Sequence, residues 1–136
     1  MIARATIGLD TNVIVRYLTH DEPTQTVAAV RLMDSLSSDS PGFLSLIVIA
    51  ELVWVLEGSY RFKKNEIEQV LETLLRSKEL AVERAEIVMQ ALRKFNAGDA
   101  DFADCLIERC GHAAECQYTV TFDRNAAKGA GMKLLR

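Results

Sequence analysis

The 136 residues are enough for one core and too few for two, so a single domain over 1–136 is expected. With 49% hydrophobic and 26% charged residues the composition is that of an ordinary globular chain, which excludes disordered and fibrous classes. A net charge of −3 offers no overall basic surface for nucleic acid.

In chain order, short apolar runs alternate with segments of helical period, the pattern of an α/β protein with a largely parallel sheet. Residues 5–9 read as a first strand, and Asp10-Thr11-Asn12 turns it into a helix over 13–19. Pro23 suits a first helical turn, and Val27, Val30, Met33 and Leu36 recur behind it at helical spacing. Turn formers fill 37–42, and 43–45 reads as a second strand.

The next helix, 46–56, is apolar nearly all round and is therefore expected to be buried, with Gly58 and Ser59 ending it. Ile67, Val70, Leu71, Leu74 and Leu75 mark an amphipathic helix, 80–82 a brief strand, and Ile87 to Phe95 a further helix stopped by Asn96-Ala97-Gly98. Phe102, Leu106, Ile107 and Cys110 line the apolar face of another, ending at Gly111. Residues 118–122 form the clearest strand. A short helix over 124–128, stopped by Gly129, and a strand over 132–135 follow.

No signal peptide is expected, and the most apolar stretch, 44–56, is too short for the roughly 20 residues of a membrane span, so the cytoplasm is the expected location. Cys105, Cys110 and Cys116 are odd in number and contain no C-x-x-C pair. Together with His112 they could form a soft metal cluster, but the spacing is not the usual one for zinc, and three small side chains on a helix and its following turn is the plainer reading.

Two strands end in an acid, Asp10 and Asp123. In open parallel sheets the crevice for ligands lies at the carboxyl ends of the strands, so both point to one rim. Glu51 stands among Ile47, Val48, Ile49, Ala50, Leu52 and Val53, where an ionised group is costly unless a cation meets it. Asp101, Asp104 and Glu108 share a helical face. Each of Asp10, Asp101 and Asp123 could instead be a helix cap, an explanation not open to Glu51 inside its helix.

The segments Leu9-Asp10-Thr11-Asn12, Ala50-Glu51-Leu52-Val53-Trp54, Ala100-Asp101-Phe102-Ala103-Asp104-Cys105-Leu106-Ile107 and Val120-Thr121-Phe122-Asp123-Arg124 resemble the four acid-bearing segments of the PIN domain, in the same order. The short length is similar to the VapC toxins of VapBC toxin–antitoxin pairs. Cys105 departs from the family, where a small residue such as Ala or Ser is commoner.

The resemblance implies a three-layer α/β/α sandwich with a central, mostly parallel sheet of four to five strands, and a ribonuclease hydrolysing RNA phosphodiester bonds. It places metal ligands at Asp10, Glu51, Asp104 and Asp123, with Asn12 and Thr121 in support; Asp101 either orients a water or only caps its helix. An all-carboxylate set suits Mg²⁺, with Mn²⁺ as a substitute. With the four acids set aside the net −3 becomes +1, and a bound divalent ion makes the acidic pocket attractive to phosphate.

Arg16, Arg124 and Lys128 are candidate RNA contacts; Lys63 and Lys64 read more simply as solvated charges. His20 and His112 carry no assigned role. The resemblance also implies a homodimer and a small VapB-like antitoxin. Rival readings are a haloacid-dehalogenase-like phosphohydrolase, which wants a second acid where Asn12 stands, and a PIN-like binding module, which would lack an acid. A receiver domain wants an acidic pair where Thr11 and Asn12 stand. Action on DNA requires the same chemistry.

Overall fold

The computed structural model describes residues 6–136. In chain order it comprises β1 (Ile7–Gly8), α1 (Thr11–Thr19), α2 (Pro23–Ser35), β2 (Gly42–Leu44), α3 (Leu46–Ser59), α4 (Lys64–Arg76), β3 (Leu80–Val82), α5 (Ala85–Ala97), α6 (Phe102–Ala113), β4 (Val120–Thr121), α7 (Arg124–Ala130) and β5 (Lys133–Leu134). Of the strand expected over 5–9, Ala5 lies outside the described residues.

The strands pair in parallel, which is why helices separate them: a parallel neighbour is reached only by a crossover. β1, β2 and β3 form one ladder, with Ile7 opposite Gly42 and Gly42 opposite Leu80. β4 and β5 form a second, with Val120 opposite Lys133. The fold is the α/β/α arrangement that was expected, but among the described residues the strands make two ladders where one sheet of four to five was expected.

One core runs through the molecule. Ile14, Leu44, Leu52, Leu56, Ile67, Leu71 and Val88 are buried in it almost completely. Phe95 and Phe102 meet edge to face at 5.9 Å, locking α5 against α6, a pairing worth about 0.5–1.5 kcal/mol beyond the area it buries.

Several expectations are corrected. α3 is not buried all round: Ile49, Leu52, Val53 and Leu56 are in the core, but Ile47 (79%) and Trp54 (74%) are exposed, and so is Glu51 between them. The buried residue of α2 is Ala29, whereas Val27 faces solvent. Ile107 is exposed rather than core.

Helix ends shift too. α3 runs on through Gly58 to Ser59, and α6 passes Gly111 to reach Ala113. Gly129 does not stop α7; the stop is Gly131, in the left-handed region at φ 81°. Cys105 is buried, Cys110 half-buried and Cys116 exposed, all three as free thiols.

Candidate functional site

Because β1 and β2 run in parallel, the helices that follow them, α1 and α3, start on the same rim. Asp10 ends the first strand and N-caps α1, its carboxylate accepting from the Thr11 N–H at 2.7 Å. The Ser45 hydroxyl caps α3 by accepting from the Val48 N–H at 3.1 Å, and the Glu83 carboxylate accepts from the Leu46 N–H at 2.8 Å. With that start, Glu51 lies in the second turn of α3, and the Thr11 hydroxyl donates to its Oε1 from 40 residues away in sequence. Thr11, 5% exposed, is the buried polar side chain of the described residues. It touches Asp10 with its backbone and Glu51 with its side chain, and so ties two acids of distant segments together.

A cavity of 440 Å³ opens beside this pair, with Asn12, Arg16 and Tyr60 on its walls. Arg16 donates to Gln25 at 2.7 Å and to the Tyr60 hydroxyl at 3.3 Å, and forms an ion pair with Asp21 at 3.4 Å. The Tyr60 hydroxyl hydrogen bond, with smaller help from Thr19 and Arg16, holds the Asp21 carboxyl below the usual carboxylate range. Arg16 is thus a cation oriented at the wall of the acidic cavity.

The second group of acids lies where α6 meets α7. Asp101 N-caps α6, accepting from the Asp104 N–H at 2.8 Å. Asp123 N-caps α7, accepting from the N–H groups of Asn125 at 2.7 Å and Ala126 at 3.2 Å, while its own N–H donates to the Thr121 hydroxyl at 3.0 Å. Half-buried Asp104 sits between them. Burial pushes its carboxyl up, and the negative charges of Asp101 and Asp123 push it further.

The closeness of α7 to this segment depends on Gly129: a Cβ there would stand 2.7 Å from the Ala100 backbone nitrogen, a contact no side chain tolerates. α3 packs against both α1 and α6. It therefore joins the two groups: Glu51 belongs to the first, and half-buried Glu57 has its carboxyl pushed up by burial and by Asp101 of the second.

The four acids expected from sequence thus fall into two pairs, Asp10 with Glu51 and Asp104 with Asp123. Among the described residues no three His, Cys, Asp or Glu side chains stand together closely enough to hold a metal ion, whether at the acids or around the cysteines. The donor chemistry nevertheless fits a hard divalent cation. None of the four forms a salt bridge among the described residues, as is true of most acids in the chain; Glu108, met by Lys94 at 2.8 Å and Arg109 at 2.6 Å, is one of the few that do. Acids gathered without a counterion, one of them half-buried, are groups that a cation would stabilise.

Of the basic residues, Arg124 and Lys128 are exposed on α7. Lys64 donates to the Gly98 carbonyl and lies 5.0 Å from the centre of the Phe95 ring, which ties it to the fold. Lys63 is exposed at the start of α4, and His112 is exposed on the last turn of α6. His20 caps α1 in the left-handed region. Sequence reasoning missed Thr11 as the bridge, Tyr60 as the partner of Arg16, and Glu57. A signal for Thr11 was its place directly after Asp10; for Tyr60 there was none.

A family model described as PIN domain matches residues 7–131. A VapC ribonuclease of Aquifex aeolicus (strain VF5) is 28% identical over 122 residues, which span 88% of this chain and 89% of that protein.

Proposed function

The chain belongs to the PIN-domain family, and from that premise we propose that it is a VapC-type toxin: a ribonuclease that hydrolyses RNA phosphodiester bonds with Mg²⁺, or Mn²⁺ in its place. Residues 1–136 are read as a single domain. The observation that carries this reading is Asp104, half-buried with the like charges of Asp101 and Asp123 beside it.

Asp10 with Glu51 and Asp104 with Asp123 would supply the carboxylates for the metal, as two pairs and not as one preformed cluster. A divalent ion supplies an activated water at neutral pH and neutralises charge on the phosphate. The rest is the work of the chain. Thr11 fixes the Glu51 carboxylate in one rotamer by its hydrogen bond, so that the acid is presented to the cavity rather than to solvent at large. Asn12 and Arg16 line the same cavity, and Arg16, already oriented by Gln25 and Tyr60, is placed to hold a phosphate oxygen. Asp101 keeps the first turn of α6 in register through the Asp104 N–H and adds the negative charge that raises the affinity of Asp104 for a cation.

The toxin reading brings a VapB-like antitoxin and a homodimer with it. The exposure of Ile47 and Trp54 on either side of Glu51 supports a protein partner on that face, since large apolar side chains rimmed by polar ones mark interaction surfaces. No helix among the described residues is long and apolar enough to cross a membrane. An RNA-cleaving toxin acts in the cytoplasm, and we place this one there.

The deciding experiment is cleavage of structured and unstructured RNAs, and of the matching DNAs, with Mg²⁺, with Mn²⁺ and with EDTA. RNA cleavage that stops in EDTA is expected; cleavage that persists there overturns the metal mechanism. Light scattering gives the mass in solution, and a monomer at every concentration removes the homodimer.

A further inference from the structure

β4 and β5 present a face that no element of the described chain covers. Tyr118, Val120 and Phe122 alternate along one side of the strand segment and are 50%, 49% and 79% exposed. On the neighbouring strand Lys133 stands beside Val120 in register, with its ammonium 4.4 Å from the centre of the Tyr118 ring. The opposite side of this small sheet is the packed one: Thr121 and Leu134 are half-buried and Met132 is in the core.

At the end of the exposed face lies an open recess of 510 Å³, walled by Phe122, Arg124, Leu134, Leu135 and Arg136. Its charged side chains are all cations. Among the described residues neither Arg124 nor Arg136 has a side-chain hydrogen bond or an ion pair, which is equally true of Arg31, Arg61 and Arg93; what sets the two apart is that they share one recess with an exposed aromatic ring.

An aromatic ring offered to solvent in one recess with two guanidinium groups suits a single-stranded nucleic acid: the ring takes a base and the cations take its phosphates. Phe122 directly precedes Asp123, so one short segment carries both the exposed ring and an acid of the second group.

We propose that Phe122, with Arg124 and Arg136 lining the same recess, forms a stacking and phosphate-holding subsite for a nucleotide of single-stranded RNA. The assignment rests on the ribonuclease reading above and extends it to the substrate. Stacking accepts any base, so this subsite selects unpaired RNA over duplex rather than one sequence over another. The alternative occupant of an apolar sheet face, a second copy of the chain, would meet its own two arginines across the contact, and that like-charge encounter disfavours it.

The test separates binding from cutting. In EDTA, the affinity of the full chain for a fluorescein-labelled oligouridylate is measured by polarisation, with a duplex RNA as comparison. Phe122→Ala is expected to weaken oligouridylate binding about tenfold and to leave duplex binding unchanged. Phe122→Trp restores the affinity, and Phe122→Leu, apolar but without a π face, does not. Arg124→Gln lowers the slope of log K against log salt by about 0.7, the value for one phosphate contact on a single strand. Since Phe122 is 79% exposed, its truncation should leave the melting temperature unchanged, which separates a lost subsite from a lost fold.

Wild-type affinity in Phe122→Ala, or full rescue by Leu, overturns the subsite while leaving the ribonuclease reading intact if the wild type still cuts RNA. A change in sedimentation mass with unchanged RNA affinity also overturns it, and assigns the face to contact between copies. A wild-type chain that neither binds nor cuts RNA sinks both readings.

Discussion

Replacing Asp104 and Glu51 in turn by their amides separates what a metal ion does for this site from what the fold does without one. Asp104 is half-buried, and its carboxyl is pushed up by burial and by Asp101 and Asp123. The amino end of α6 favours a negative charge by about 0.3–1 kcal/mol, but the direction of the shift says that burial and repulsion outweigh it. Asp104→Asn should therefore stabilise the metal-free protein, by about 0.5–1 kcal/mol, as relief of unfavourable charge commonly does. For 136 residues the unfolding entropy is about 0.29 kcal/mol/K, so the melting temperature rises by about 2–3 °C.

Glu51 is exposed and accepts a hydrogen bond from Thr11, so Glu51→Gln should move the metal-free melt by no more than about 2 °C. With metal at ten times its Kd the wild type gains about 1.4 kcal/mol, or about 5 °C, by mass action. Both amides should lose most of that gain. Their cleavage should fall by at least the roughly 10–100-fold that loss of a mere supporting partner costs a metal site. Thermal melts with EDTA and with Mg²⁺, run beside a cleavage assay, give all four quantities. An Asp104→Asn protein that melts lower than wild type in EDTA refutes the repulsion argument, and one that keeps its metal-dependent gain and its cleavage removes Asp104 from the site.

Three further outcomes are expected. Thr11→Val keeps the shape but removes the hydroxyl that holds Glu51, so stability should fall by about 1 kcal/mol and cleavage should drop while RNA affinity in EDTA stays; unchanged turnover would deny Thr11 its positioning role. Gly129→Ala forces α7 away from Ala100, costing about 1–3 kcal/mol and separating Asp123 from Asp104, which a melt and a metal titration both read. The pH dependence follows from the acids. Asp104 and Glu57 have raised carboxyls, so their folded forms bind protons more tightly than the unfolded chain; stability from this source is present on the acid side and is lost as pH rises through the raised values. Burial raises Glu108 too, but its bonds to Arg109 and Lys94 win and lower it, so its contribution runs the other way and is lost as pH falls. In EDTA, Asp104→Asn with Glu57→Gln should therefore gain in melting temperature on the wild type as pH rises through the raised values, and gain less when Mg²⁺ replaces EDTA; a difference between the two that does not change with pH would refute the assignment.

Local chemistry is what the sequence by itself determined. Apolar runs of period 2 and stretches of period 3.6 set the order of strands and helices, and Asp10, Asp101 and Asp123 cap helices where a short acid before an apolar-periodic segment should. Capping and metal binding are compatible, since a cap uses one carboxylate oxygen and leaves the other free. The acid-bearing segments were legible for the same reason: each is a run of adjacent residues.

Tertiary structure alone decided which sides of those elements meet. On α3 nearly every side is apolar, so periodicity held little information about which face the core would take. Packing against α1 and α6 left Ile47, Glu51 and Trp54 outside, and the costly burial expected for Glu51 did not occur. The Thr11 bridge spans 40 residues, and the approach of Gly129 to Ala100 joins two segments; neither has a local signature. The exposure of Phe122 follows from the same cause, because a strand pattern states that alternate residues share a face and not whether anything lies over it.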